Sequence, residues 1–275
     1  MSPAIDKSGS EPLESLTFHE LARAFHFGAL ALILVLFPFS LFFLVGGFLP
    51  DRFSWASSIV ISLNAIATFS SEIRFTESRV VIRETLFLCL LVFVIESFGV
   101  HTGLPFGRYS YTGALGPNIL GVPVVIPFAW YSTVVNSRRL ISGLFPRIST
   151  GRVFASIVLA GILTLALDIV LEPTAGFIKE YWIWHDGVVP MSNYASWFLL
   201  SSLVIYWMTR KANQGESENP ERLFNAIIVL GTQWVLFALT DIVNGYFLPV
   251  AVSALLVAAI ANIRAGIVSD LPIPE

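Results

Sequence analysis

The sequence predicts an all-α, polytopic integral membrane helical bundle of about eight transmembrane helices. Both termini are expected on the cytoplasmic side, with a re-entrant or lid-like outer segment at residues 101–118. Three observations carry this expectation. Hydrophobic residues make up 55% of the 275 residues and charged residues only 13%, against about a quarter charged in ordinary soluble domains. Eight stretches approach the roughly 20 apolar residues that a spanning helix needs. Placed between these stretches, thirteen of the 16 Lys and Arg residues fall on one side, the asymmetry that marks cytoplasmic loops.

The first stretch, Phe25–Leu49, follows a polar lead, 1–24, containing Glu11, Glu14 and Glu20. It is too long for a signal-peptide core and shows no small-residue cleavage site, so a retained helix is expected. The next are Phe53–Ser71, Glu84–Val100 and Ile119–Val135, the last carrying Pro123 and Pro127. Val153–Leu171, the short Tyr194–Met208, Leu223–Thr240 and Tyr246–Ile263 complete the set. Residues 25–263 thus form one transmembrane domain between cytoplasmic tails, 1–24 and 264–275. The basic side collects Lys7, Arg23, Arg74, Arg79, Arg83, Arg138, Arg139, Arg147, Arg152, Arg210, Lys211, Arg222 and Arg264. The opposite side holds Arg52, Arg108 and Lys179. The polar "NQGESENP" (213–220) reads as a cytoplasmic loop, and no basic cluster suggests nucleic acid. Cys89 is the sole cysteine, which excludes an intramolecular disulfide and a cysteine-based zinc site.

The outer ends of the stretches gather unusual residues. Ionisable groups within spans are rare because hydrocarbon does not solvate charge, and by default they indicate function. Glu96 lies a turn before the end of the third stretch. Asp168 and Glu172, four apart, share one helix face, and Asp168 is a full turn inside the run "SIVLAGILTLALD". Pro173 is expected to end that helix at Glu172. Asp241 ends the seventh stretch. Desolvation and mutual repulsion both oppose ionisation of paired carboxyls, and a protonated carboxyl near neutral pH is what a general acid needs. The bland alternative is that acids at span ends reach water.

"HTGLPFGRYSYTGALG", His101–Gly116, turns repeatedly through Gly103, Gly107, Gly113 and Gly116. Non-helical backbone at membrane depth survives only where protein buries it or water reaches it, so a lid over the outer ends is favoured over a plain loop. Tyr109 and Tyr111, two apart, point the same way in an extended chain. Trp182 and Trp184 of "YWIW" suit an interfacial aromatic belt, and equally a wall whose π faces stabilise a nearby cation. Arg108 is either a counter-ion to the acids or a contact to lipid phosphate. His101 and His185 lack HxxxH or HxxE spacing, so no metal site is expected.

The run "ESFGVHTGLPFGRYSYTGALGPNILGVPVVIPFAW" (Glu96–Trp130) resembles the membrane carotenoid hydratases of the CruF type, with an acid, a TG-PFG-Y-Y block, then LG and a GVP–IP–W segment. A second block, "LDIVLEPTAGFIKEYWIWHDGVVPMSNYASWF" (Leu167–Phe198), resembles that family's D-x-x-x-D-P segment, W-x-W pair and P-x-x-N-x-x-x-W close. Glu172 stands where the family has aspartate, and the Trp expected just before the Asp168 segment is absent. The resemblance covers roughly the middle third of the chain. It implies a cofactor-free hydration of a terminal C=C bond of an acyclic carotenoid end group to a tertiary alcohol. A lipophilic carotenoid substrate, a cell-membrane location and contact with other carotenoid-pathway membrane enzymes go with it. On that reading Asp168 or Glu172 donates the proton and Glu96 holds or deprotonates water. Tyr109, Tyr111, Trp182 and Trp184 form cation-stabilising walls, Asn193 is a water ligand, and Arg108 and Asp241 complete the substrate site.

Two other classes remain open at this point. A magnesium-dependent prenyltransferase would use Asp168–Glu172 with Asp241–Asn244, but would want more cations nearby for its diphosphate. A transporter would prefer acids at mid-membrane. A retinal-type pigment protein would need a lysine inside a span, and Lys7, Lys179 and Lys211 all lie in loops or the tail. The orientation makes a direct prediction. A cysteine introduced at Ser110 labels with an impermeant thiol reagent from outside intact cells. Labelling only from the cytoplasm would overturn it.

Overall fold

The computed structural model describes residues 18–48, 53, 55–145, 150–211 and 219–269. Residues 1–17 and 270–275 of the expected tails, the side chains of Arg147 and Arg152, and most of the 213–220 loop lie outside the described residues. Among the described residues, eight long helices follow one another: α1 (Phe18–Ser40), α2 (Ala56–Phe75), α3 (Ser78–Thr102), α4 (Ile126–Leu144), α5 (Thr150–Glu172), α6 (Met191–Lys211), α7 (Pro220–Val243) and α8 (Phe247–Ser269). Five helical spans among the described residues, Phe18–Val45, Ala56–Phe75, Val153–Ile178, Pro220–Val243 and Phe247–Arg264, are long and apolar enough to cross a membrane by length and composition. The outward faces are oily, with Phe154, Leu248 and Leu255 each at least 70% exposed. The chain is therefore an all-α membrane protein.

Local chemistry sets the ends. Asn219 accepts from the Glu221 amide at 2.8 Å and Pro220 follows it, a capped start with proline where no donor is needed. α3 stops at Gly103, whose φ of +79° is left-handed, the usual glycine terminator. Inside α1, Pro38 cannot donate, and beyond Ser40 the chain continues as a π-helical turn, Leu41–Val45. α5 loses its α-helical pattern at Glu172, as Pro173 predicts. The chain does not leave the helix there, however, but continues as a π turn, Pro173–Ile178.

Between α3 and α4, and between α5 and α6, lie the non-helical segments. Strand β1 (Tyr109–Tyr111) precedes a tight hairpin of β2 (Asn118–Ile119) and β3 (Val122–Pro123), and β4 (Trp182–Trp184) follows the π turn. β1 and β4 pair antiparallel in the register Tyr109↔Trp184, Ser110↔Ile183 and Tyr111↔Trp182. These pieces cap the end of the bundle where α3, α5 and α7 finish. Gly107 fixes the approach of the cap to α6. Its φ is +121°, and a Cβ there would collide with the Pro190 ring.

The fourth helix departs from its expected bounds. Residues 119–123 belong to the hairpin and 124–125 to the turn after it, and α4 runs on to Leu144, so Arg138 and Arg139 are buried inside it at 8% and 5% exposure. Hydropathy reads those arginines as the end of a span. The structure shows a charge with a partner. Arg139 Nε donates to Glu72 Oε1 at 2.8 Å and its Nη2 to Oε2, while Arg222 Nε lies 3.6 Å from Glu72 Oε1 and its Nη2 donates to Thr76 Oγ1. Next to this network, Asn136 Nδ2 donates to Thr68 Oγ1 at 2.7 Å, and Asn225 Nδ2 to Asn136 Oδ1 at 2.8 Å. α2, α4 and α7 are thereby joined through side-chain bonds at the end opposite the cap. Several of the basic residues counted for orientation thus serve the interior.

Removing one partner of a buried ion pair costs about 3–5 kcal/mol. Arg139→Ala deletes the two-pronged bond to Glu72 and should lower thermal stability in detergent by an amount of that order. Arg210→Ala, at an exposed position, serves as the comparison and should leave the unfolding midpoint unchanged.

Candidate active site

Three acids on two helices meet beneath the cap. Glu96, from α3, uses both oxygens: Oε2 accepts from Tyr109 OH at 2.5 Å and Tyr111 OH at 2.9 Å, and Oε1 from Trp130 Nε1 at 3.0 Å. Glu172, from the end of α5, also accepts three bonds. Trp184 Nε1 and Trp182 Nε1 donate to its Oε2 at 2.9 and 3.2 Å, and Asn193 Nδ2 donates to its Oε1 at 2.9 Å. The same Asn193 nitrogen reaches Asp168 Oδ2 at 3.2 Å. Asp168 Oδ1 is buried with no hydrogen-bond partner in the protein.

The sheet register explains the donor set. Side chains alternate across a strand, so the tyrosines of β1 and the tryptophans of β4 share one face of the sheet, and all four point their polar tips at carboxylates. Ser110 and Ile183 occupy the other face, where Ile183 is 47% exposed. Burial, and next the charge of Glu96, push the Tyr109 and Tyr111 phenols well above the usual tyrosine range, so both remain O–H donors at any physiological pH. The π turn supports the tryptophans from below: a Cβ on Gly176 would stand 3.4–3.5 Å from atoms of both indoles.

The acids open into a cavity of about 640 Å³. Its other walls are aromatic and aliphatic. Trp130 and Trp197 stack at 3.6 Å between centroids and 6° between planes, and Tyr109 packs at 5.2 Å from Trp184. Glu96, Asp168, Glu172, Tyr109, Tyr111, Trp182, Trp184 and Asn193 all line the cavity, so eight of the expected site residues come together. The sequence reading gave no role to Trp130, Trp197 or Phe106. All three sit inside the two quoted blocks, and their only signal is an indole or phenyl ring next to the turn and acid residues.

Two expected residues lie elsewhere. Arg108 is exposed and stands one residue before β1, next to the inward-facing Tyr109; its backbone carbonyl accepts from His185 N at 2.9 Å. Asp241 is fully buried but absent from the cavity wall: its Oδ1 accepts from Thr174 Oγ1 of the π turn at 2.8 Å. The carboxyl tip thus clamps the turn that carries the tryptophans instead of meeting Asp168 and Glu172. Among the described residues, no three His, Cys, Asp or Glu side chains assemble as a metal-ligand group. His101 and His185 are held by Ser97 O at 2.7 Å and Ser110 Oγ at 3.3 Å.

A helical membrane bundle with a capped, acid-ended and otherwise apolar cavity defines the class of protein: one built to hold a lipophilic molecule against buried carboxyls. Comparison with known proteins is more specific. Residues 56–260 match the family model described as carotenoid biosynthesis protein, and the chain belongs to that family. The bisanhydrobacterioruberin hydratase of Haloarcula japonica is 36% identical over 126 residues, 43% of this chain and 41% of that relative. The match thus spans about two fifths of the length of the curated relative. No solved structure matches the chain.

Asn193 is the shared donor on which two acids depend. Asn193→Leu strips Asp168 Oδ2 of its donor and Glu172 Oε1 of its own, and unsatisfied buried groups cost about 1–3 kcal/mol each. The unfolding midpoint in detergent should fall accordingly. An unchanged midpoint would show that neither acid relies on the amide.

Proposed function

We propose that the protein is a carotenoid hydratase, a hydro-lyase of the cell membrane that adds water across a terminal C=C bond of an acyclic carotenoid end group. The relative's name makes the conversion of bisanhydrobacterioruberin to bacterioruberin the substrate reading to test first. The observation that carries the proposal is the contrast among the three acids. Glu96 and Glu172 each accept three hydrogen bonds, the environment of a carboxylate, whereas Asp168 keeps one buried oxygen free beside the cavity. The free oxygen supports Asp168 as the carboxyl that delivers a proton.

An isolated alkene does not add water until it is protonated. Asp168 transfers its proton to the less substituted alkene carbon, the π electrons forming the new C–H bond. Positive charge develops on the more substituted carbon, where the faces of Trp130, Trp197, Tyr109 and Trp184 and the negative charge of Glu172 stabilise it. Water attacks that carbon, and Glu96 takes the proton it sheds. A second water returns this proton to Asp168, so one water is consumed, no net proton is used, and no cofactor is called on. The indole and phenol donors hold Glu96 and Glu172 in place throughout, which leaves little to reorganise during charge formation.

The orientation reading places both termini in the cytoplasm and the capped end outward, with other carotenoid-pathway membrane enzymes as neighbours that supply the acyclic substrate.

Expression in a host that makes acyclic carotenoids and does not hydroxylate them, followed by mass-resolved chromatography, tests the proposal. The expected result is a pigment heavier by one water per modified end. General acid–base groups contribute about 10²- to 10⁴-fold, so Asp168→Asn and Glu96→Gln should each lower its formation by a factor in that range. Wild-type protein present in the membrane without a new pigment across several acyclic substrates would reject the reaction.

A further inference from the structure

The cavity has a direction. At one end Asp168 and Trp184 are 1% and 4% exposed; at the other, Ile59, Trp55 and Phe39 still line the wall at 45%, 50% and 57%. Among the described residues, the charged groups of the lining, Glu96, Asp168 and Glu172, all belong to the buried end. The exposed end is formed by the last turn of α1, Trp55 and the first turn of α2, and the exposed residues there are apolar, so this mouth suits hydrocarbon better than water.

The capped end is held by different means. Tyr181 OH and Ser57 Oγ share a hydrogen bond of 2.5 Å, and Ser58 Oγ donates to the Leu115 carbonyl at 2.9 Å. Both bonds fasten the cap to the first turn of α2. At the mouth, by contrast, the wall is the end of α1. There Pro38 interrupts the ladder and the Leu41–Val45 π turn buries none of its side chains. Irregular helical hydrogen bonding of this kind is frequent at functional sites.

The geometry points to end-first loading from the bilayer. The cavity takes one terminus of a long linear isoprenoid chain, and the remainder of the chain passes out between the end of α1 and the start of α2 and stays in lipid. That the chain is a carotenoid rests on the function proposed above. With a single acid cluster at the buried end, the enzyme engages one terminus at a time, and a chain with two reactive ends must leave and return for the second.

Site-specific photocrosslinking tests this without relying on turnover. Full-length protein carrying p-benzoylphenylalanine at Phe39 or at Ile59 is irradiated in detergent with an acyclic carotenoid, and adducts are quantified by mass spectrometry. Leu255, on the lipid-facing side of α8, and Leu120, exposed on the cap, serve as comparison positions. Adduct yields several-fold higher at positions 39 and 59 than at 255 and 120 support lateral loading, and two independent mouth positions guard against one variant that fails to fold. Equal yields at all four positions, or adducts concentrated at position 120, overturn it. Hydration measured on the unsubstituted protein separates the two readings. Adducts at the mouth without hydration would reject the reaction and keep the entry route, whereas hydration without positional preference would reject the entry route alone.

Discussion

A carboxylate cannot sit in hydrocarbon without donors, and most of the capped end follows from that requirement. Glu96 and Glu172 need between them six N–H or O–H groups, and the helices alone do not supply these. The chain meets the demand by leaving helical form twice, between α3 and α4 and again between α5 and α6, and by pairing the two excursions as strands. Each strand brings two aromatic side chains whose polar tips reach the acids and whose rings wall the cavity. One construction thus satisfies the charges and shapes the space in front of them.

The opposite end meets the same requirement by other means. Glu72 is buried between Arg139 and Arg222, so opposite charge, instead of aromatic donors, compensates it. An ion pair of that kind fixes helix positions but leaves the carboxylate closed to any ligand. Near the cap, neutral donors hold the acids in place of an opposing charge. The two ends differ in what their acids can do because they differ in what surrounds them.

Hydropathy was sufficient for the eight helices and their order, because a helix in lipid must be apolar on its outer face whatever its inner face does. The acid pair on α5, and the shared facing of Tyr109 and Tyr111, followed from residue spacing. What spacing could not give was pairing between distant segments. Nothing in "YSY" or "YWIW" alone says that each is the other's partner, nor that Trp130 and Trp197 stack. Asp241 and Arg108 show the opposite limit. Their chemistry suited the site, but one clamps the π turn and the other is exposed. Likewise Arg138 and Arg139 were legible as charges and not as buried ones, since burial depended on Glu72 two helices away.

The antiparallel register of Tyr109–Tyr111 with Trp182–Trp184 constrains how such a chain can change over time. A single inserted or deleted residue in either strand would reverse the facing of everything beyond it, turning aromatic tips outward and presenting residues such as Ile183 to the acids. Length variation is therefore expected to be tolerated in the stretches outside the pair, and a shift in one strand only with a matching shift in the other. Two segments some seventy positions apart are in this sense inherited as one.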